Sequence, residues 1–213
     1  PRADRRSVPG GEGEVADYIP KLAEVPKDRF GMALAMLDGR VHEVGDARER
    51  FSIQSISKVY TLTLALEAAG DALWTRVDRE PSGDPYNSLI QLELEKGIPR
   101  NPFMNAGALV TADVVLSNYD DAERMLLDFM RARSGNPEVG TDDVVAKSER
   151  ESGYRNVAMA NFIRSYDNLH NDVQDVLDFY YQQCALRMDC VDLARSVQYL
   201  ADGGRCRATG EAV

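Results

Sequence analysis

The 213-residue sequence is 44% hydrophobic and 28% charged, values typical of a soluble globular protein. Its formal net charge of -10 argues against a surface for nucleic acid or anionic membrane, because both need concentrated Lys and Arg. No apolar run approaches the roughly 20 residues of a membrane span, and no secretory signal is visible. The three cysteines lack CxxC spacing and there are only two histidines, so we expect a cytoplasmic protein without a metal site.

The chain begins with a predicted leader and an amphipathic segment. Residues 1–14 are rich in Gly, Pro and charge, which is typical of a flexible leader. Apolar residues then recur at helical spacing in VADYIPKLAEV, residues 15–25. Pro20 interrupts this pattern, so the segment indicates a helix broken near that proline.

A hairpin and a helix follow. Two apolar-rich runs in RFGMALAMLDGRVHEVGD flank Asp38-Gly39, a dipeptide that accepts the positive φ angles of a tight turn. After the short extended run RFSI, we expect a helix from residue 55 to residue 69. Gly70 is its predicted end.

The rest of the chain predicts a helical region. The stretch ALWTRVDREPSGDPYNS is predicted to be mostly loop. After it, apolar residues recur at three- and four-residue steps, the spacing of helices. The predicted helices are AGALVTADVVLSN, DDAERMLLDFMRAR, DDVVAKSER, RNVAMANFIRSY, DVQDVLDFYYQQCALRM and VDLARSVQYLADGG. We therefore predict an α+β protein in which residues 15–69 form a sheet-and-helix part and residues 70–213 a mainly helical lobe.

A serine and a lysine stand out in FSIQSISKVYTL, residues 51–62. Ser55 lies three residues before Lys58, and residues three apart share a helix face. A serine hydroxyl needs a nearby base to become a nucleophile, and both burial and the positive end of a helix favour a neutral lysine amine. The backbone N–H of Ser55 is also a candidate oxyanion donor. The pair predicts acyl-transfer chemistry, although S-x-x-K also arises by chance around a surface lysine.

A histidine base is the competing interpretation for the serine. A Ser-His-Asp arrangement needs His42 or His170. His42 lies on the second hairpin strand and His170 in the polar loop DNLHND, so both are interpreted as surface or capping residues. Lys58 is the better candidate base.

Six segments, in chain order, closely resemble the bacterial serine-dependent glutaminases: ADYIPKLA, FSIQSISKVYTL, EPSGDPYNS, GIPRNPFMNAGAL, KSERESGYRN and LDFYYQQCALRMDCVDLA. The resemblance runs from about residue 15 to the end. It implies a β-lactamase/transpeptidase-like fold, with an antiparallel sheet flanked by helices and a mainly helical lobe. It also implies hydrolysis of L-glutamine to L-glutamate and ammonia without a metal or organic cofactor, in a homodimer or homotetramer.

The resemblance assigns roles by motif. Ser55 is the implied nucleophile and Lys58 its proton acceptor. The implied substrate-binding residues are Tyr18, Gln54, Asn105, Glu149, Asn156 and Tyr180. A carboxylate for the substrate ammonium and neutral donors for its carboxylate suit a zwitterionic amino acid. Structural interpretations stay open: Glu149 and Asn156 as exposed positions two helical turns apart, Asn105 as a helix cap and Tyr180 as a core aromatic.

The family pattern is longer than this chain. Its continuation should hold a Cys-Gly-Met-Tyr segment, a Lys-Ser-Gly-type strand and an oxyanion-hole valine, none of which occurs before the sequence stops at Val213. A sheet with few strands has an open edge. We therefore expect a chain ending at Val213 to show little glutaminase activity and poor solubility.

Three functions remain open on the sequence. They are a glutaminase, an acyl-serine enzyme of the penicillin-binding or β-lactamase type, and a non-catalytic helical interaction protein. NPFMNAGA and YRN belong to the glutaminase pattern and favour the glutaminase. The expected partner is therefore the small molecule L-glutamine, with no nucleic acid and no membrane.

Overall fold

The computed structural model describes residues 14–83, 85–210 and 212–213. All but the last residue of the predicted leader lies outside the described residues. None of the described helices combines the length and the apolar character needed to cross a bilayer.

The predicted hairpin is confirmed. Strands β1 (Gly31–Ala35) and β2 (Val41–Gly45) pair antiparallel along their full length. Gly39 in the connecting turn has φ +93°, a conformation that glycine adopts without steric cost. The Asp-Gly dipeptide is therefore the local cause of the reversal.

A second antiparallel sheet joins the early and late parts of the chain. Its order is β3 (Phe51–Ser52), β5 (Leu186–Met188) and β4 (Gly140–Thr141), with β5 in the middle. The strand that leads to the predicted nucleophile is therefore hydrogen-bonded to a strand that follows it by more than a hundred residues.

The central strand of this sheet was predicted as helix, which is wrong. Leu186 and Met188 are buried whereas Arg187 between them is exposed, the alternation of a strand. Strand pairing on both sides, and a hydrogen bond from Ile53 N–H to the Leu186 carbonyl (2.9 Å), override the local helical pattern.

Helices make up most of the remaining structure. They are α1 (Lys58–Ala69), α2 (Ile90–Leu94), α3 (Asn105–Asn118), α4 (Ala122–Ser134), α5 (Asp143–Ser152), α6 (Tyr154–Ser165), α7 (Val173–Cys184), α8 (Cys190–Ser196) and α9 (Gln198–Ala201). Shorter 3₁₀ helices cover Leu22–Glu24, Gln54–Ser57 and Gly70–Thr75. Together with the two small antiparallel sheets, they confirm the α+β class.

Two local predictions differ from the structure. The helical spacing over residues 15–25 yields only the 3₁₀ turn Leu22–Glu24, because Pro20 disfavours a helical conformation in the residue before it. The five-residue helix Ile90–Leu94 lies in a region of Pro, Gly and Asn and was missed.

Helix α3 is the central helix of the core. Every residue from Asn105 to Val115 is buried, and the helix packs against α1, α6 and α7. Asn101 Oδ1 accepts hydrogen bonds from the backbone N–H groups of Phe103 (3.0 Å) and Met104 (3.1 Å). The interpretation of Asn105 as a helix cap is therefore wrong, because another asparagine organises this helix start.

A break between α5 and α6 places Glu149 and Asn156 on different helices. Gly153 lies between the helices, and a Cβ there would be 2.2 Å from Tyr181 Oη. Only glycine lets α7 come this close to the junction. The interpretation of the two residues as positions two turns apart on one helix is therefore wrong.

Candidate active site

One cavity of about 770 Å³ collects the residues that the sequence singled out. It lies between the turn before α1, the start of α3, the junction of α5 with α6, and α7. Its lining includes all of the predicted site residues, namely Tyr18, Gln54, Ser55, Lys58, Asn105, Glu149, Asn156 and Tyr180. Side chains from distant parts of the sequence therefore share one space.

The predicted nucleophile lies in the 3₁₀ helix Gln54–Ser57, because α1 begins only at Lys58. Ser55 is exposed and lines the cavity. Gln54 before it has φ +50°, a left-handed conformation that costs a non-glycine residue free energy. The Gln54 side chain donates a hydrogen bond from Nε2 to Ser52 Oγ (3.0 Å). A strained turn thus presents Ser55 at the cavity wall.

Lys58 is buried, with 3% of its surface exposed. Its Nζ donates to Asn105 Oδ1 (2.7 Å) and to the backbone carbonyl of Phe103 (3.1 Å). Burial lowers the pKa of Lys58, and the negative charges of Cys184 and Glu149, when ionised, oppose this shift. The direction of the shift is the one expected for a lysine that acts as a neutral base.

Ser55 and Lys58 line the same cavity without a hydrogen bond between them. Among the residues that the structure describes, the Lys58 amine donates to Asn105 and to the Phe103 carbonyl instead. Catalytic hydrogen bonds are often long before substrate binds, so this geometry is compatible with a role of Lys58 as the base.

Glu149 is the carboxylate of the cavity. Only 6% of its surface is exposed, and its Oε1 is buried without a hydrogen-bond partner among the described residues. Burial raises the pKa of Glu149 to about 7, although a hydrogen bond with Gln54 and the charge of Lys58 oppose the shift. An unpaired buried carboxylate is costly, and a cationic ligand would stabilise it.

Two asparagines connect the amine to the opposite wall. Asn105 is buried, and its Nδ2 donates to Asn156 Oδ1 (3.1 Å). Since Asn105 Oδ1 accepts from Lys58, the three residues form one hydrogen-bonded chain. Asn156 at its end is half-buried and lines the cavity.

The two predicted tyrosines differ in exposure. Tyr180 is buried, and burial raises the pKa of its hydroxyl well above the usual value. Tyr18 is 60% exposed, and partial burial followed by the charge of Glu149 raises its pKa. Both hydroxyls therefore stay protonated and can donate hydrogen bonds at neutral pH.

Sequence reasoning missed some of the lining. Cys184 lies one helical turn after Tyr180 on α7, so helical spacing was a usable signal for it. Burial raises the pKa of the Cys184 thiol, which keeps it neutral. Phe103 contributes a backbone carbonyl, and no side-chain pattern reveals such a contact. Tyr86 and Tyr154 also line the cavity.

The cavity does not contain a histidine. Neither His42 nor His170 lines it, and both are exposed. Within the described part of the chain, no group of three or more His, Cys, Asp or Glu residues is arranged to hold a metal ion. The titratable groups that line this cavity are therefore those of the lysine, glutamate, tyrosine and cysteine residues described above, together with the guanidinium of Arg155.

Residues 13–213 match the family model described as Glutaminase. The chain belongs to the glutaminase family. A glutaminase from Rhizobium rhizogenes is 53% identical over 205 residues, which cover 95% of this chain and 66% of the relative. The chain thus spans about two thirds of the length of the curated relatives it matches.

Solved structures show that the chain has the fold of bacterial glutaminases. The probable glutaminase ybaS matches with a TM-score of 0.87 at 35% identity, over 95% of this chain and 66% of that one. The structure of Mglu in its glutamate form matches with a TM-score of 0.84 at 35% identity, over 94% of this chain and 46% of that one. The β-lactamase-like α+β fold expected from the sequence is confirmed for this glutaminase-family chain.

Proposed function

We propose that the chain hydrolyses L-glutamine to L-glutamate and ammonia through an acyl intermediate on Ser55. The observation that carries the proposal is the buried Glu149 carboxylate, whose Oε1 lacks a hydrogen-bond partner among the described residues and which lines the same cavity as Ser55 and Lys58. A serine and an amine of lowered pKa provide for acyl transfer, and the carboxylate selects a substrate with a cationic group. Membership of the glutaminase family and the structural likeness to Mglu in its glutamate form support glutamine as that substrate.

The amino-acid end of the substrate is assigned to the wall opposite the nucleophilic turn. Glu149 pairs with the α-ammonium, which replaces the missing hydrogen-bond partner of Oε1. Asn156 and the Tyr180 hydroxyl donate to the α-carboxylate, and Tyr18 and Gln54 complete the lining. In this arrangement the nucleophile-bearing part is residues 15–69, and the helical lobe 70–213 supplies most of the recognition.

The chemistry at the side-chain amide follows from this placement. Ser55 Oγ forms a bond to the amide carbon while its proton passes to Lys58 Nζ, and the ammonium then protonates the leaving nitrogen as the C–N bond breaks. Ammonia leaves and a glutamyl ester remains on Ser55. Water attacks this ester, its proton passes to Lys58 and then to Ser55 Oγ, and glutamate is released.

Two assays on the chain test the proposal. We expect covalent labelling of Ser55 by a glutamine-mimicking diazoketone, which is lost in Ser55→Ala together with whatever ammonia the chain releases from glutamine. The matched control Ser165→Ala, an exposed serine on α6, retains both. Unchanged ammonia release in Ser55→Ala contradicts the proposal, because Ser55 is then incidental. Labelling of Ser55 by a β-lactam in preference to the diazoketone contradicts it in favour of the penicillin-recognising type of enzyme.

Assembly and location complete the proposal. We propose a cytoplasmic homodimer or homotetramer, as the resemblance implied. Free cysteines at positions 184, 190 and 206 are compatible with a reducing compartment. Light scattering after size-exclusion chromatography measures the assembly, and a monomer at micromolar concentration contradicts it.

A further inference from the structure

We infer that Asn105, together with the backbone carbonyl of Phe103, positions the Lys58 amine so that its lone pair points into the cavity. The inference rests on the proposed function, in which Lys58 accepts the proton of Ser55. It gives Asn105 a role that differs from the substrate contact implied by the family resemblance. Asn105 acts through the lysine and is a positioning residue.

The direction of the lone pair follows from the number of hydrogens on the Lys58 amine. A neutral lysine amine has two N–H groups and one lone pair in tetrahedral directions. Asn105 Oδ1 and the Phe103 carbonyl, at 2.7 and 3.1 Å from Nζ, are the two acceptors that these N–H groups need. The remaining direction is that of the lone pair, which is where a third proton is added when the amine becomes an ammonium. The proton removed from Ser55 therefore enters the single position that neither acceptor occupies.

The Lys58 amine also sets the orientation of both asparagine amides. Nζ donates to Asn105, so Asn105 turns its Oδ1 toward the amine. The Asn105 Nδ2 is then left to donate to Asn156 Oδ1 at 3.1 Å. Asn156 in turn keeps its NH₂ group for an acceptor in the cavity, which suits the substrate carboxylate. The donation from Nζ thus determines the polarity of this wall.

The fold holds Asn105 rigidly in this role. Asn105 is the first residue of α3, and its side chain does not cap the helix. The side chain of Asn101 instead accepts hydrogen bonds from the backbone N–H groups at the helix start. The loop lies so close to α3 that a Cβ at Gly107 would be 2.0 Å from the Asn101 carbonyl oxygen. A buried side chain on the first turn of a tightly packed helix has little freedom to turn away from Lys58.

A pair of substitutions separates positioning from substrate contact. Asn105→Asp keeps the shape but places a carboxylate against the amine, and an opposite charge at this range raises a lysine pKa by about 1–3 units. Asn105→Ala removes the acceptor without adding charge. The matched control Asn161→Asp adds the same charge on the exposed face of α6.

Two readouts follow each variant. The first is the pH profile of Ser55 labelling by the glutamine-mimicking diazoketone, followed by mass spectrometry. The second is the titration of Lys58 by ¹³C NMR of lysine ε-carbons in the Ser55→Ala background, which is tractable because the chain has five lysines. The other titratable groups of the cavity around Lys58 are unchanged in every variant, namely Glu149, Cys184, Arg155, Tyr18, Tyr86, Tyr154 and Tyr180.

The expected results are specific to positioning. Asn105→Asp raises the Lys58 titration midpoint and the pH at which labelling becomes fast by at least about one unit. Asn105→Ala slows labelling at saturating diazoketone about 10- to 100-fold, the scale of a lost proton-transfer geometry. Asn161→Asp changes neither readout.

Other results would overturn the inference. An Asn105→Asp chain whose Lys58 midpoint equals that of wild type contradicts it, as does an Asn105→Ala chain that weakens only diazoketone affinity. Failure of the wild-type chain to label with the diazoketone contradicts the proposed function instead, and the NMR titration distinguishes the two failures because it needs no turnover.

Discussion

Asp113 and Glu149 are both buried carboxylates, but their surroundings differ. Asp113 accepts hydrogen bonds from the backbone N–H groups of His170 (3.1 Å) and Asn171 (2.8 Å) and from Asn171 Nδ2 (2.8 Å), and it pairs with Arg76. Burial alone would raise the pKa of Asp113, but these hydrogen bonds, first those of Asn171, lower it overall. Glu149 keeps an unpaired oxygen, and burial raises its pKa to about 7.

The contrast separates a structural carboxylate from one that we propose for substrate binding. The partners of Asp113 come from loops that it ties to α3, so its charge is already neutralised by the fold. Glu149 has no arginine partner, keeps one oxygen without a hydrogen bond among the described residues, and lines a cavity. A buried carboxylate oxygen that the protein leaves unsatisfied therefore marks a place where a ligand of opposite charge is expected.

The largest effect is expected at the structural carboxylate. Asp113→Ala leaves the half-buried Arg76 without its ion-pair partner and removes the acceptor of the His170 and Asn171 N–H groups, and we expect the free energy of unfolding to fall by about 3–5 kcal/mol. Urea denaturation measures it. The matched control Asp128→Ala removes an exposed pair with Arg124 and should cost less than about 1 kcal/mol. If both substitutions lowered the free energy of unfolding equally, Asp113 would not be a structural carboxylate.

The pH dependence of stability should have opposite signs at the two sites. The folded-state pKa of Glu149 is about 7 against a usual 4.5, so its contribution to stability is full below about pH 4.5 and is lost as pH rises through 7. The pKa of Asp113 is lowered, so its contribution is lost as pH falls below the usual 3.8.

Replacing Glu149 tests the predicted loss of stability at high pH. Glu149→Gln should be more stable than wild type at pH 8 by up to about 3 kcal/mol, the equivalent of a shift from 4.5 to about 7, and equal to it near pH 4. Urea denaturation at both pH values measures the difference. The control Glu151→Gln, an exposed residue on the same helix, should show no such pH dependence.

The same substitution should weaken ligand binding. Glu149→Gln removes the partner of the substrate ammonium, and a lost charge-assisted hydrogen bond corresponds to about 10- to 100-fold in affinity. Calorimetry with L-glutamate at pH 8 measures it. In wild type the affinity should fall as pH drops below about 7, because Glu149 becomes protonated. Unchanged affinity in Glu149→Gln would assign the ammonium to another residue.

The smallest effect is expected at Gln54. Its hydrogen bond to Glu149 opposes the burial effect, so Gln54→Ala should raise the pKa of Glu149 further. The pH below which glutamate affinity falls should then move upward by less than about one unit. A downward movement would show that Gln54 does not stabilise the charged carboxylate.

Local patterns in the sequence were sufficient for much of this molecule. The hairpin follows from Asp-Gly between apolar runs, and α3 to α7 follow from three- and four-residue apolar spacing. The nucleophile and base candidates, Ser55 and Lys58, lie three residues apart in the sequence. Turn chemistry and periodicity act over a few residues, so they can be read without knowing the fold.

Tertiary structure decided the rest. Strand β5 exists because two other strands pair with it, and the sequence there resembles the end of a helix. The acceptors of Lys58 come from residues 45 and 47 positions away, and Glu149 is unpaired only because of how α5 packs in the folded protein. Burial and hydrogen-bond pairing depend on which distant groups meet, and these determine the pKa values at this site. The sequence alone therefore selected candidate residues that meet in one cavity, whereas only the packed fold determined their charge and orientation.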